Sequence, residues 1–135
     1  MATITANITL NTDITNYSVS ESMTMKKLGS TSGLDNATGI ALKKFTSTSS
    51  VTIVEQDEVT SSKASKVYMR NSGSSKEDFF YVAIHVNAAA SNGTETIGKL
   101  YGGDWMLIPY EGATNLTVAP STASDMTLEY GLFYE

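Results

Sequence analysis

Apolar residues recur at every second position from the start of this chain. Ile4, Ala6, Ile8 and Leu10 fall on one side of an extended backbone, and Thr3, Thr5, Asn7 and Thr9 on the other. Successive side chains of a strand point to opposite faces, so a period of two reads as a half-buried β-strand. The pattern predicts that residues 3–10 either pair within the chain or form an arm that pairs with a neighbour. No segment carries a comparable 3.6-residue period. The chain is therefore expected to be all-β.

The rest of the sequence repeats the theme. Residues 14–28, with Ile14, Tyr17, Val19, Met23, Met25 and Leu28, predict one or two strands. Gly29 to Gly39 reads as a polar, glycine-punctuated loop that should be exposed. Ile40–Phe45 and Val51–Val54 predict two strands joined by a Ser/Thr turn, and Lys66–Asn71 a further strand. Asp78–Asn87 is apolar on both faces for most of its length, which predicts a central strand. Asn92-Gly93 is a hairpin-turn signal. Thr94–Tyr101 and Trp105–Tyr110 follow, and Pro109 places the second of these at a sheet edge because proline cannot donate to a ladder. A short strand around Leu116 and Val118 precedes a final one over Asp125–Glu135. Eight to ten short strands at regular spacing make a sandwich or a barrel. No repeat or linker divides the 135 residues, so residues 1–135 are read as one domain.

Composition narrows the function classes. Ser and Thr make up roughly a quarter of the chain, and only 17% of residues are charged. The net charge of −5 and the absence of a basic patch argue against nucleic-acid binding. Without cysteine there is neither a disulfide nor a cysteine-based metal site. Nothing in the sequence resembles a secretory signal or a membrane span, so a cytoplasmic site of synthesis is expected.

The inventory of chemical groups is thin. His85 is the single histidine, and a Ser–His–acid triad would have to use it. It falls mid-strand with no nucleophile-elbow sequence nearby, which fits a hydrogen-bonded strand histidine. One histidine cannot supply the usual metal ligand set. Glu55, Asp57 and Glu58 form one acidic cluster, and Glu77 and Asp78 another. Both lie at strand ends, where solvated turn charges explain them. No catalytic residue, metal site or cofactor is predicted, and the chain is read as a non-enzyme. Trp105, Tyr101 and Tyr110 admit two readings: a core tryptophan on the inner face with Leu107, or an aromatic platform or interface anchor. With Ile4 and Ile8 of the first strand, they are the candidate interface residues.

The second half of the chain carries a family pattern. Lys66-Val67-Tyr68-Met69-Arg70-Asn71 leads to the long apolar strand. Ile97-Gly98-Lys99-Leu100-Tyr101-Gly102-Gly103-Asp104-Trp105-Met106-Leu107-Ile108-Pro109 and Asn115-Leu116-Thr117-Val118-Ala119 follow, and Leu128-Glu129-Tyr130-Gly131-Leu132-Phe133-Tyr134-Glu135 closes it. This order resembles small virion structural proteins of tailed bacteriophages, over roughly residues 60–135. The resemblance implies a jelly-roll-like antiparallel β-sandwich that decorates a capsid. The implied partners are the major capsid protein and further copies of the same chain, as a homotrimer, with residues 1–12 as a possible exchanged arm. The implied location is the capsid surface of a virion assembled in the host cytoplasm. A carbohydrate-binding or host-recognition module of a phage tail or fibre is the alternative.

Overall fold

In the computed structural model, which describes residues 3–14, 18–85 and 95–135, the chain forms eleven β-strands and no helix among those residues. They are β1 (Thr5–Asn11), β2 (Ser18–Thr24), β3 (Asn36–Ala37), β4 (Ala41–Phe45), β5 (Val51–Val54), β6 (Ser65–Asn71), β7 (Phe79–His85), β8 (Thr96–Tyr101), β9 (Trp105–Pro109), β10 (Asn115–Pro120) and β11 (Met126–Tyr134). Every strand pairing is antiparallel. The predicted Asn92-Gly93 turn, Tyr17, and Val86 and Asn87 of the strand predicted over Asp78–Asn87 lie outside the described residues.

Two sheets carry the core. One runs β5-β10-β7-β8. In the other, β9 pairs β6, β6 pairs β11, and β11 pairs both β4 and β3. Alternation decides what each sheet contributes. Phe80 and Val82 of β7, Leu116 and Val118 of β10, and Val54 of β5 point inward from the first sheet. Val67 and Met69 of β6 and Leu128 and Leu132 of β11 meet them from the second. Phe45 of β4 packs edge-on against Phe80 of β7 at 5.1 Å between ring centroids, so one aromatic pair spans the two sheets. Two antiparallel sheets facing each other over one apolar layer make a β-sandwich.

The expected centre and edge are both found. β7 lies between β10 and β8, and β9 with its Pro109 lies at a sheet edge. The Ser/Thr run after Phe45 is different. It does not turn a hairpin but carries the chain from one sheet to the other, because β4 pairs β11 while β5 pairs β10. The stretch around Leu116 is longer than expected and central, and all of Leu116 to Pro120 is buried. The Gly29–Gly39 stretch is not wholly exposed either. Its one large apolar residue before Ile40, Leu34, is fully buried, and its N–H donates to the Met25 carbonyl at 2.9 Å. Polar neighbours hid a single buried plug.

Asn71 ties the sheets together at one end. It is buried at the end of β6. Its Nδ2 donates to the Leu100 carbonyl of β8 at 3.0 Å, and its Oδ1 accepts from Gly73 N–H at 3.0 Å. Its backbone accepts from Gly103 N–H and donates to the Asp104 carbonyl. The β8–β9 turn is thereby held against β6.

Candidate functional site

The first strand pairs within its own chain. β1 and β2 form a two-stranded ribbon that shares no ladder with either sheet. Its register sorts the side chains by face. Ala6 lies opposite Met23, Ile8 opposite Glu21, and Leu10 opposite Val19. The alternate set is Thr5, Asn7, Thr9 and Asn11 against Thr24, Ser22, Ser20 and Ser18. One face is thus apolar apart from Glu21, and the other is entirely Ser, Thr and Asn.

The base of this hairpin is fixed to the rest of the chain. Met25 N–H donates to the Ile4 carbonyl at 2.9 Å, and the buried Met25 is tied in turn to Leu34. Glu135 braces the adjoining loop: its Oε2 accepts from Leu28 N–H at 3.1 Å, and its Oε1 pairs with Lys63 Nζ at 2.9 Å. These donors hold the Glu135 carboxyl below its usual range, the Lys63 hydrogen bond first and the Leu28 N–H second. Farther out the apolar face is open. Leu10 is 53%, Met23 42% and Ile8 37% exposed.

Two concavities flank the hairpin. The larger, of about 920 Å³, lies between its apolar face and the β8–β9 side of the sandwich, with Ile97, Trp105 and Leu107 on the far wall. The smaller, of about 440 Å³, lies at the hairpin base over the outer face of β6 and β9, where Ile4 meets Tyr68, Arg70, Trp105 and Phe133. Trp105 lines both. Tyr68 donates its hydroxyl to Glu129 Oε1 at 2.8 Å; burial first and this carboxylate second push the phenol above its usual pKa.

The core-facing reading of Trp105 is overturned. Met106 and Ile108 pair with Met69 and Val67 on the inner face, which sends Trp105 and Leu107 outward beside Arg70 and Tyr68. Trp105 is 50% exposed. The period was right and its phase was one residue off, which in a strand exchanges the two faces.

Ile4, Ile8 and Trp105 are brought together around the hairpin. Tyr101 lies on the outer face of the other sheet, where it packs on Phe79 at 5.1 Å between ring centroids. Phe79 also carries Lys99 Nζ 4.5 Å above its ring. Tyr110 stands apart. It is buried, and its hydroxyl donates to the Thr114 carbonyl at 2.6 Å with the Glu55 carbonyl at 3.1 Å. Burial, with Glu58 and its acidic neighbours adding to it, pushes its pKa up to about 12. Tyr110 therefore works as a core pin.

Sequence reading passed over Ile97, Leu10 and Met23. Ile97 sits at a register shift: Gly98 pairs Val82 and Thr96 pairs Ala83, so Ile97 has no ladder partner. A bulge of this kind re-aims one side chain, here into the larger groove at 45% exposure. The acidic clusters are separate turns. Glu58 Oε2 caps Glu55 N–H, and Ser75 Oγ caps the Glu77 and Asp78 N–H groups. His85 ends β7 opposite Asn115, whose Oδ1 accepts from Gln56 N–H of the first acidic turn at 2.7 Å. Among the described residues, no three His, Cys, Asp or Glu side chains converge as metal ligands would.

Neither the protein-family models, the curated proteins nor the solved structures contain a match to this chain.

Proposed function

We propose that this chain is a non-enzymatic virion structural protein that decorates a phage capsid and stabilises it. The observation that carries the reading is the β1–β2 hairpin, an arm with one apolar face left half-covered beside a wide groove. Exposed apolar surface gathered in one place marks an interaction surface. Strand order supports the jelly-roll form of the sandwich. Take β4 to β11 as eight successive strands. The first, eighth, third and sixth then form one sheet, and the second, seventh, fourth and fifth the other. That interleaving is the double Greek key of jelly rolls, an architecture used by viral capsid and lectin domains. Fold alone does not fix function, so the weight rests on the arm. The partners in this reading are the major capsid protein and further copies of the chain in a homotrimer, on the capsid surface. Sedimentation of purified protein with undecorated capsids tests it: co-sedimentation at a fixed stoichiometry is expected, and no binding at any protein concentration refutes it.

A second reading, a carbohydrate-binding module of a tail or fibre, is favoured by one observation. Trp105 is half-exposed in a groove that also holds Arg70 and Tyr68. Glycan-array binding that is lost in Trp105→Ala would establish it, and an empty array would remove it.

A further inference from the structure

We propose that the groove between the hairpin and the β8–β9 wall is closed by the β1–β2 hairpin of a second copy of this chain. The proposal deepens the shell reading, on which it rests only for the expectation of a homo-oligomer. A two-stranded ribbon is marginal in water unless its apolar face is covered. Here the cover is partial, and Ile8, Leu10 and Met23 look across an open groove at Ile97 and Trp105. These five side chains are each between a third and about half exposed. Large side chains carry roughly 150–250 Å² apiece, so together they leave on the order of 400 Å² of apolar surface in one place. A standard interface takes about 800 Å² from each partner, a little over half of it apolar. The patch therefore matches the apolar share of one such interface.

The occupant is argued from the chain's own chemistry. Within one chain the hairpin faces the wall across the groove with Ile8, Leu10 and Met23 still exposed, so the element shaped to cover the wall is present but incompletely closed. Exchange of such an element between identical chains adds contacts at little cost. The contact rests on apolar surface rather than on charge. Glu21 is the one charge in either hairpin strand. Both charges of the wall are engaged within their own chain, Lys99 Nζ over the Phe79 and Tyr81 rings and Asp104 accepting from Tyr101 N–H at 3.0 Å. Exchange can be reciprocal between two chains or run head-to-tail around a closed ring.

The chain has no cysteine, which makes the test direct. Leu10→Cys and Ile97→Cys are made as separate proteins, mixed and oxidised. A disulfide joining one chain of each kind should form in several-fold excess over either homodisulfide. Sedimentation of the wild-type chain over a concentration series should give a mass above the monomer. Leu10→Asp should weaken that association by roughly tenfold or more, with an unchanged circular-dichroism melt at dilutions where both chains are monomeric, because Leu10 is exposed within one chain. A strictly monomeric wild-type chain, or random pairing of the two cysteine proteins, overturns the proposal. All of this is measured without capsids. A monomer that still binds capsids would sink the exchange alone, and an exchanged oligomer that ignores capsids would sink the shell reading alone.

Discussion

Asn71→Ala removes both side-chain hydrogen bonds that join β6 to the β8–β9 end of the sandwich. The cost is set by what is left behind. The Leu100 carbonyl belongs to a buried residue and loses the side-chain donor that the fold provides. Gly73 is exposed, so water replaces part of what its N–H loses. A hydrogen bond whose partner regains water is worth about 1 kcal/mol net, and one whose partner is stranded in the interior costs about 1–3 kcal/mol instead. Taking about 2 kcal/mol for Leu100 and about 1 kcal/mol for Gly73 gives a loss of about 3 kcal/mol. With a urea slope of roughly 1–3 kcal/mol/M, the unfolding midpoint should fall by about 1–3 M. Trp105, the single tryptophan, lies just past the turn that Asn71 holds and reports the transition by fluorescence. Asn71→Asp sharpens the case. It keeps the acceptor for Gly73 but turns the other atom from a donor into a buried anion facing the Leu100 carbonyl. Burial raises the folded pKa of such a carboxyl above its unfolded value of about 4. Its deficit should then be smallest below about pH 4, where the protonated oxygen can donate, and grow as pH rises. A midpoint shift of under about 0.3 M for Asn71→Ala would refute this account of how the sheets are joined.

Other perturbations test neighbouring parts. A Cβ on Gly102 would lie 2.2 Å from the Ser75 carbonyl oxygen, whereas one on Gly98 meets nothing within 4 Å. Gly102→Ala should therefore cost roughly 2–4 kcal/mol and Gly98→Ala less than about 0.5 kcal/mol, compared by thermal melts. Tyr110→Phe should cost about 1 kcal/mol in urea unfolding, because the Thr114 carbonyl loses its buried donor. In the wild-type chain the Tyr110 phenolate should appear by ultraviolet absorbance near pH 12. Since the folded pKa lies above the unfolded value of about 10, the folded state holds its proton longer, and stability falls as pH rises between these values. Glu135 has the opposite sign. Its lowered folded pKa contributes stability above the unfolded pKa that is lost as pH falls toward the folded one. Glu135→Gln should flatten that acid limb in a pH series of melts.

Much of the sandwich was legible because period two marks strands without knowledge of their partners. Phe80 and Val82 on one side of β7 and Phe79 and Tyr81 on the other follow directly from alternation. So does the edge position of β9, since Pro109 lacks a donor. What alternation cannot reveal is which of two apolar sets faces in when both qualify. Trp105 and Leu107 are as large and apolar as Met106 and Ile108, and only pairing with Val67 and Met69 decides between them. The bulge at Ile97 was hidden for a related reason, since a lost register is a property of two strands and not of one. The Ser/Thr run after Phe45 looked like a turn because a turn and a crossover between sheets ask for the same small polar residues.

The hairpin shows the same limit at the level of function. Its alternation is as clean as that of any core strand, yet its apolar face is spent on no core. Period two states only that one face avoids water; it does not state which molecule supplies the cover. In β7 and β10 that cover is the opposing sheet of the same chain. In β1 and β2 it is partial: Ala6 and Val19 are half-buried, while Ile8, Leu10 and Met23 stay exposed. A sequence under no demand beyond its own fold gains nothing from Leu10 at an exposed position where a Ser would keep the ribbon and remove the liability. The polar face of the same hairpin, all Ser, Thr and Asn, shows that such residues are accommodated there. On the reading proposed above, the segregation of the two faces is a demand placed from outside the chain's own sheets, and the hairpin is the part of the sequence on which that reading turns.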